Sequence, residues 1–328
     1  MENIQKIIEW SQKIAIFTHI NPDWDAVWSS LALKNLLNNM WKDANIFLSH
    51  KTQAFNFLPW FEKNIKTEFD NQDYDLIFVL DCSTIDRVEP FCKENLDFFQ
   101  NNKIIVIDHH IPSTKWFWSN TLAFFETPSY SSTCEYIFDI FFEPFSKFFD
   151  SDIATNLFFG IYTDTGWFIH EENSIKVFNI CSKLFKLWAD KGLIIDKFVK
   201  WKSFEEIKFL WEIINRAKYE WDILYTYYDI DELEKNWVNN TPKMWYSTLS
   251  KINWPKALII AKKDWHKIRF WLRSKGKYNV QKIADHFGGW WHKYASWFSI
   301  EIENNEDYLD ITKKIIEQID FLINTSNQ

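Results

Sequence analysis

Four strand-length apolar runs, interspersed with helical patterns, constrain the fold of this chain more than any other feature. The runs are IAIFT (14–18), ANIFLS (44–49), DLIFVLD (75–81) and KIIVIDHH (103–110). They are rich in β-branched and aromatic residues and are apolar on both faces. Helical patterns cover 26–39, 131–142, 151–162 and 174–188. Because strands that alternate with helices and are buried on both faces form parallel sheets, we predict an α/β domain with a parallel sheet covered by helices on both faces.

The pattern changes after about residue 204. A helix is predicted over 204–220, and the runs KALIIAKKD and HKIRFWLRS face each other across a short turn, as in a β-hairpin. A helix (VQKIADHF), a strand (SWFSIEI) and a terminal helix over 306–324 complete this half. We therefore predict a larger domain over 1–190, a linker over 191–205 and a smaller α+β domain over 206–328, with a cleft between the two domains.

Charge and composition exclude two classes of partner. The formal net charge of −8 argues against long duplex nucleic acid, which needs a basic surface, but is compatible with a short nucleotide. No run reaches the 18 or more apolar residues of a membrane span, so no membrane partner is expected. The N-terminus lacks the apolar segment of a signal peptide, and the four cysteines show no CxxC spacing. A cytoplasmic protein with reduced thiols is the expectation.

Carboxylate and imidazole side chains gather where the predicted strands end. His19 follows the first strand, Asp81 ends the third and Asp108 ends the fourth. Ligands of open α/β sheets bind beyond the carboxyl ends of the strands, so these groups are predicted to share one edge. The full predicted set is His19, Asp23, Asp25, Asp81, Asp108, His109, His110 and Asp164.

This density of charge predicts a metal centre. Unpaired carboxylates at close range repel and raise one another's pKa, and bound metal relieves that repulsion. Mixed Asp and His ligands suit Mn²⁺, Fe²⁺, Co²⁺ or Zn²⁺ better than Ca²⁺. The ligands are numerous enough for two ions with one bridging Asp, an arrangement that hydrolyses phosphoesters. Taken singly, each group also has a structural interpretation, since an Asp-x-Asp at a helix start is often an N-cap.

Tryptophan is far more frequent than glycine, with 20 against 6 in 328 residues, although about 23 glycines would be usual. Tryptophans stand in turn-like strings such as NPDWDAVWSS (21–30) and HFGGWWHKYASWFS (286–299). Glycine adopts left-handed backbone at low cost, and an indole-bearing residue does not. We hypothesise that UGA codons meaning glycine in the source organism are written here as tryptophan. The alternative is a genuinely tryptophan-rich protein, which UGG codons at Trp24, Trp290 and Trp291 would support.

At these motifs the chain resembles a known family. HINPDWDAVWSSLAL is similar to the DHH phosphoesterase signature if glycine is read at Trp24 and Trp28, and the DHH triplet is intact at 108–110. LRSKGKYNVQKIADHFGGWWHKYASWFSI resembles the DHH-associated C-terminal domain, whose Gly-Gly-Gly-His loop lies at 288–292 here. The resemblance runs from about residue 14 to 302, and the two-domain layout is most similar to the bacterial nanoRNase/pAp phosphatase group.

The resemblance implies roles for individual residues. One Mn²⁺ would be held by His19, Asp23 and Asp81, and a second by Asp25, Asp81, His109 and Asp164, with Mg²⁺ or Co²⁺ as alternatives. His110 would face the scissile phosphate as a hydrogen-bond or proton donor, and Asp108 would orient its neighbours. The residues expected to bind a substrate phosphate are Arg273, Ser274, Gly288, Gly289, Trp290, Trp291 and His292. Indoles at 24, 290 and 291 would strain the backbone and damage the site.

The resemblance also implies the activity. The expected enzyme is a two-metal phosphoesterase that cuts short oligoribonucleotides to mononucleotides, dephosphorylates 3′-phosphoadenosine 5′-phosphate (pAp) to AMP, or does both. One alternative is a phosphodiesterase for cyclic dinucleotides or their linear products. Another is a non-catalytic nucleotide or RNA binder that stacks bases on tryptophan. A RecJ-like exonuclease would need a basic channel, and the loop ending at His292 argues against a family II pyrophosphatase. A homodimer is compatible with the sequence but has no support in it.

Overall fold

The structure is a computed structural model of the 328-residue chain. It describes residues 2–49, 61–69, 73–110, 118–126, 129–168, 175–194, 196, 203–236, 248–249, 252, 255–274, 278–303 and 307–325. The chain divides into two compact units, Met1–Lys200 and Trp201–Gln328. The boundary between them falls inside the segment predicted as a linker. No helix in the described parts of the chain combines the length and apolar character needed to cross a membrane.

The first unit is built on a six-stranded sheet in the order β3-β2-β1-β4-β5-β6, in which every neighbouring pair is parallel. Strands β1 to β6 are Lys13–Thr18, Asp43–Phe47, Ile65–Lys66, Leu76–Leu80, Ile104–Asp108 and Thr121–Glu126. Helices α1 to α9 are Glu2–Trp10, Trp24–Asn39, Phe61–Asn64, Phe91–Glu94, Leu96–Asn101, Thr133–Phe145, Ser151–Asp164, Ile175–Lys186 and Lys191–Ile194. The predicted α/β fold with a parallel sheet is confirmed. The sequence missed the two edge strands, β3 and β6.

Both faces of this sheet are buried. Ile14 and Ile16 of β1 pack into an apolar cluster with residues of α2, α6 and α7, whereas Ala15 and Phe17 enter a second cluster with Phe47. Consecutive side chains of a strand point to opposite faces, so the continuous apolar run of β1 supplies both clusters. This explains why the central strands lack a polar face in the sequence.

Helices α2 and α7 approach closely next to the sheet. A Cβ built on Gly160 of α7 would lie 2.1 Å from Cys134 Sγ and 2.7 Å from Asp25 Oδ1, so only glycine fits there. Trp28 of α2 is fully buried, and its ring stacks on Phe159 with 4.5 Å between centroids. Its indole Nε1 has no hydrogen-bond partner among the described residues, an arrangement that costs about 1–3 kcal/mol.

The second unit is an α+β unit around a mixed sheet in the order β11-β12-β10-β9-β8-β7. Strands β7 to β12 are Lys218–Glu220, Ile223–Asp229, Ala257–Asp264, Lys267–Ser274, Trp290–His292 and Ala295–Glu301. Helices α10 to α13 are Phe204–Asn215, Ile230–Lys235, Val280–His286 and Tyr308–Thr325. The predicted hairpin is present, with β9 and β10 antiparallel. The helix predicted over 204–220 ends early, because 218–220 pair with β8 instead of extending the helix.

Several non-glycine residues adopt left-handed backbone, and four of the eight in the described chain are tryptophan. They are Trp41 (φ 59°), Trp167 (φ 63°), Trp188 (φ 66°) and Trp221 (φ 51°). The strain expected at Trp24, Trp290 and Trp291 is not found, so that expectation is wrong. Trp24 begins α2 and the other two lie in β11, where ordinary helical and extended backbone accommodates any L-residue.

Candidate metal centre

The order of the strands brings the predicted site residues to one edge of the first sheet. His19 follows β1, Asp81 follows β4, and Asp108 is the last residue of β5. These three strands are neighbours in the sheet, so their carboxyl ends lie side by side. Asp81 turns away from its strand with a φ of 56°, a conformation that aspartate tolerates better than most residues.

The start of helix α2 supplies two further carboxylates. Asp23 is the N-cap, and its Oδ1 accepts a hydrogen bond of 3.1 Å from the Ala26 amide. Asp25 lies in the first turn and is 1% exposed. The N-cap interpretation of Asp23 is therefore correct, yet Asp23 also lies close to His19 and Asp81, so the capping role does not remove it from the cluster.

The site residues form overlapping groups whose ligand atoms lie within 4.8 Å of one another inside each group. The groups are His19, Asp23 and Asp81; Asp25, His109 and Asp164; and Asp81, His109 and His110. His109 Nε2 lies 3.2 Å from Asp164 Oδ2, 3.6 Å from Asp81 Oδ1 and 4.0 Å from Asp25 Oδ2. His19 Nε2 lies 3.7 Å from Asp81 Oδ2. Asp81 thus belongs to the group with His19 and Asp23 and also approaches His109, so it connects the two sides of the cluster.

The two histidines that approach Asp81 through Nε2 are oriented by backbone carbonyls. His19 Nδ1 lies 2.7 Å from the carbonyl oxygen of Ile20, and His109 Nδ1 lies 3.3 Å from that of Tyr130. If each Nδ1 carries the proton and donates it to the carbonyl, the unprotonated Nε2 faces the carboxylates. This is the usual arrangement of a histidine that binds a metal.

His110 is held differently. Its Nδ1 lies 2.6 Å from Asp108 Oδ1, and its backbone amide donates to the same oxygen at 3.2 Å. Burial lowers the pKa of His110, but the charge and hydrogen bond of Asp108 outweigh burial and raise the pKa to about 10. Burial likewise raises the pKa of Asp108, and the charge of His110 lowers it more, so the net shift is downward. In the metal-free protein, the 2.6 Å contact and these shifts together favour a protonated His110 paired with an ionised Asp108.

Negative charge is crowded in the rest of the site. Burial, followed by the nearby charges of Asp81 and Asp164, raises the pKa of Asp25 well above its usual value. Burial also raises the pKa of Asp81, but its three histidine neighbours lower it more. Asp81 Oδ2 is buried without a hydrogen-bond partner among the described residues. Three features of the site fit divalent metal ions. The potential ligands are a mixture of imidazole and carboxylate groups, Asp81 Oδ2 accepts no hydrogen bond from the described residues, and negative charge is crowded.

The site also uses residues that the sequence did not reveal. The Thr133 hydroxyl donates to Asp81 Oδ1 at 2.9 Å, and the amides of Thr133 and Cys134 donate to Asp25 at 2.6 and 3.2 Å. Both residues begin α6, whose N-cap is Ser132. The pattern Ser-Thr-Cys-Glu at 132–135 resembles a helix-start signal and could have located this helix end, but not its contacts.

The residues predicted to bind a substrate phosphate lie in the second unit. The register aligns Arg273, Ala295 and His292 across β10, β12 and β11. Arg273 Nη1 donates to the Leu272 carbonyl at 2.9 Å, and Ser274 Oγ donates to the Tyr278 carbonyl at 2.5 Å. The side chains of residues 290–292 lie outside the described part of the structure.

The loop after α12 differs from expectation. The amides of Gly288 and Gly289 donate to the carbonyls of Asp285 and Ala284 at 3.0 and 2.7 Å. Both amides therefore close the end of the helix instead of standing open as an anion nest. Gly289 also approaches β12 closely, since a Cβ there would lie 2.1 Å from the Trp297 carbonyl oxygen.

Comparison with known proteins confirms the class that the motifs indicated. Residues 13–161 match the DHH family, N-terminal domain, so the first unit contains a DHH-family domain. The bifunctional oligoribonuclease and PAP phosphatase NrnA of Mycoplasma genitalium is 26% identical, and the alignment covers 95% of each chain. The protein of the same name from Mycoplasma pneumoniae is 26% identical over 95% of this chain and 94% of its own length.

A solved structure shows that the fold extends over both units. It is an exopolyphosphatase-related protein from Bacteroides fragilis, with a TM-score of 0.83 and 22% sequence identity, covering 98% of this chain and 97% of that one. The chain thus carries a DHH-family domain in its first unit and is, by its relatives, a metal-dependent phosphoesterase. The family and the clustered Asp and His residues together indicate a divalent metal.

Proposed function

We propose that this protein is a two-metal phosphoesterase that cuts short oligoribonucleotides to mononucleotides and removes the 3′-phosphate of pAp. The observation that carries the proposal is the position of Asp81 between two groups of potential ligands, one with His19 and Asp23 and one around His109. The same substrates appear in the names of the two Mycoplasma relatives. We further propose Mn²⁺ as the ion, because mixed Asp and His donors suit it.

His19, Asp23 and Asp81 would hold one ion, and Asp25, Asp81, His109 and Asp164 the other. Bound there, two divalent ions would polarise the phosphoryl oxygens and lower the pKa of an attacking water. The backbone carbonyls behind His19 and His109 keep each Nε2 available on the side of the cluster. These assignments account for every metal ligand that the sequence predicted.

His110 would act on the substrate and not as a ligand. Its protonated ring, held by Asp108 at 2.6 Å, can donate a hydrogen bond to a phosphoryl oxygen and a proton to the leaving 3′-oxygen. Its Nδ1 also lies 3.6 Å from Asp81 Oδ1. Because Asp108 occupies Nδ1, we assign the donation to Nε2.

We propose that the second unit binds a further phosphate of the substrate through Arg273 and Ser274, assisted by residues 290–292, since the amides of Gly288 and Gly289 are used by the end of α12. Arginine suits this role because its guanidinium can form paired hydrogen bonds with a phosphate. Ser274 would have to exchange its Tyr278 carbonyl partner for the phosphate. Arg273→Lys is then expected to raise KM more than it lowers kcat, because it keeps the charge and loses the paired geometry.

Turnover of three substrates tests the proposal. An RNA dinucleotide, pAp and a cyclic dinucleotide are each incubated with Mn²⁺ and the protein, once with its twenty tryptophans and once with glycine at all twenty positions. We expect hydrolysis of the first two, and Asp81→Asn should abolish it. Asp310→Asn, at an exposed ion pair in α13, is the matched control. Cleavage of the cyclic substrate alone would support the phosphodiesterase instead, and nucleotide binding that Asp81→Asn leaves unchanged, without turnover, would support the binder.

A further inference from the structure

Thr133 connects two carboxylates of the candidate metal centre. Its hydroxyl donates to Asp81 Oδ1 at 2.9 Å, and its backbone amide donates to Asp25 Oδ2 at 2.6 Å. The two acceptors are 52 and 108 residues away along the chain, on a strand end and a helix start. Thr133 is itself fully buried, so water does not compete for these bonds.

Several hydrogen bonds fix the start of α6, where Thr133 lies. Ser132 Oγ accepts the Glu135 amide at 3.0 Å, and Glu135 Oε2 accepts both the amide and the hydroxyl of Ser131 at 2.7 Å. The Cys134 amide adds a bond of 3.2 Å to Asp25 Oδ1, so both oxygens of Asp25 are engaged by the helix start. The hydroxyl of Thr133 engages Oδ1 of Asp81, whereas Oδ2 is buried and has no hydrogen-bond partner among the described residues.

We propose that Thr133 is a positioning residue that fixes the rotation of the Asp81 carboxylate and holds it in register with Asp25. The proposal rests on the metal centre of the proposed function. It attributes part of the metal affinity to Thr133, a residue whose side chain is not a ligand. Groups behind metal ligands typically contribute 10–100-fold to affinity or activity. The hydroxyl carries this effect, because the amide contact to Asp25 is independent of the side chain.

Mn²⁺ binding to the metal-free protein, measured by calorimetry, tests the proposal without reference to turnover. Thr133→Val keeps the shape and loses the hydroxyl, and it should weaken binding about 10–100-fold. Thr133→Ser should restore affinity to within about threefold of the parent. Thr226→Val is the matched control, since Thr226 is a fully buried threonine of the second unit whose hydroxyl bonds the Ile213 carbonyl. It should lower the melting temperature and leave Mn²⁺ affinity unchanged.

Unchanged Mn²⁺ affinity in Thr133→Val would overturn the positioning role, and so would equal weakening in Thr133→Ser. If Thr133→Val does not fold, Thr133→Ala makes the same comparison without a bulky methyl beside the carboxylate. A parent protein that binds Mn²⁺ but hydrolyses no nucleotide would overturn the proposed function and leave this test intact. A parent that binds no divalent ion would overturn both.

A second, independent observation concerns how four helices end. In α2, α7, α8 and α12 the residue after the C-cap is left-handed, and the next amide bonds back to a carbonyl in the last turn. These left-handed residues are Trp41 (φ 59°), Gly166 (φ 58°), Trp188 (φ 66°) and Gly288 (φ 73°). The closing bonds are Lys42 N to Leu37 O (3.0 Å), Trp167 N to Tyr162 O (2.8 Å), Ala189 N to Leu184 O (3.1 Å) and Gly289 N to Ala284 O (2.7 Å).

This is the Schellman motif, in which the left-handed position is usually glycine. Among the four such motifs in the described residues, two carry glycine at this position and the other two carry tryptophan. Trp41 and Trp188 are each 83% exposed, so packing offsets little of the cost of a left-handed indole residue. A tryptophan also has left-handed backbone in the hairpin between β7 and β8. There Trp221 and Asp222 both have positive φ, as in a type I′ turn, which favours glycine.

We infer that positions 41 and 188 are glycine in the protein as its source organism makes it, and that their codons are UGA. The backbone geometry supports this independently of any similarity to other proteins. The evidence is strongest at these two positions, because Gly166 and Gly288 show what the same motif carries elsewhere in the chain.

The codons at 41 and 188 and the masses of the corresponding peptides from source cells test the inference directly. A thermal comparison tests its physical basis. Trp41→Gly and Trp188→Gly should each raise the melting temperature by about 2–4 °C, and Trp41→Ala and Trp188→Ala should gain less, because alanine also strains at positive φ. UGG codons, tryptophan in the peptides, or alanine variants as stable as the glycine variants would overturn the inference.

Discussion

Asp108 Oδ1 lies 2.6 Å from His110 Nδ1, and both side chains are buried beside the candidate metal centre. Asp108 belongs to none of the three potential ligand groups, whereas His110 reaches Asp81 at 3.6 Å. The pair therefore places a positive imidazole next to the carboxylates, with an orientation that is fixed by a residue outside the groups.

Asp108→Asn should lower kcat by about 10–100-fold and change KM little. The amide keeps the shape but removes the charge that holds His110 protonated and oriented. Steady-state kinetics on pAp measures both parameters, and calorimetry should show Mn²⁺ affinity within a few-fold of the parent. A large loss of Mn²⁺ binding with unchanged kcat at saturating metal would show that Asp108 supports the ligands instead.

The pH dependence of stability in the metal-free protein reports the same pair. The folded-state pKa of His110, about 10, lies above the ordinary 6.5, so folding favours the protonated ring. This contribution to the unfolding free energy is complete below pH 6.5 and is lost as pH rises towards 10. Urea unfolding between pH 6 and 9 should show declining stability, and a smaller decline in Asp108→Asn. Identical slopes in the two proteins would contradict the charge pairing.

Gly160→Ala should destabilise the first unit by about 1–3 kcal/mol and weaken Mn²⁺ binding. The new methyl would meet Cys134 Sγ at 2.1 Å and Asp25 Oδ1 at 2.7 Å, so Cys134 and Asp25 must both move away from α7. Gly192→Ala in α9 is the matched control, because its Cβ would meet only the Asp190 carboxylate at 3.1 Å. Urea unfolding and Mn²⁺ calorimetry on both variants make the comparison. Equal behaviour would show that the packing at Gly160 is not tight.

The sequence predicted the central strands because each is a continuous apolar run that ends in a polar residue. It placed His19, Asp81 and Asp108 at one edge because parallel strands share the direction in which they end. The strand Ile65–Lys66 is too short to show periodicity, and 218–220 follow a helical pattern that pairing with β8 overrides. These failures occur where tertiary contacts decide the structure.

The support around the site was not predictable in the same way. Thr133 reaches Asp25 across 108 residues, and no local pattern encodes such a contact. Gly160 is one of only six glycines in the chain. The reason for a glycine there, the close approach of α7 to Cys134 and Asp25, is visible only in the folded structure. The amides of Gly288 and Gly289 were expected to bind an anion, but the end of α12 uses them. The assigned metal and substrate roles stay predictions.

The number of Mn²⁺ ions bound per chain, counted by titration of the metal-free protein and followed by electron paramagnetic resonance, tests the central claim most directly. A centre bridged by Asp81 should bind two ions in the parent, one in Asp23→Asn, and neither tightly in Asp81→Asn. Spin coupling between the two ions should appear in the parent alone. One uncoupled ion in the parent, or two ions retained in Asp81→Asn, would contradict a two-metal centre built on this carboxylate.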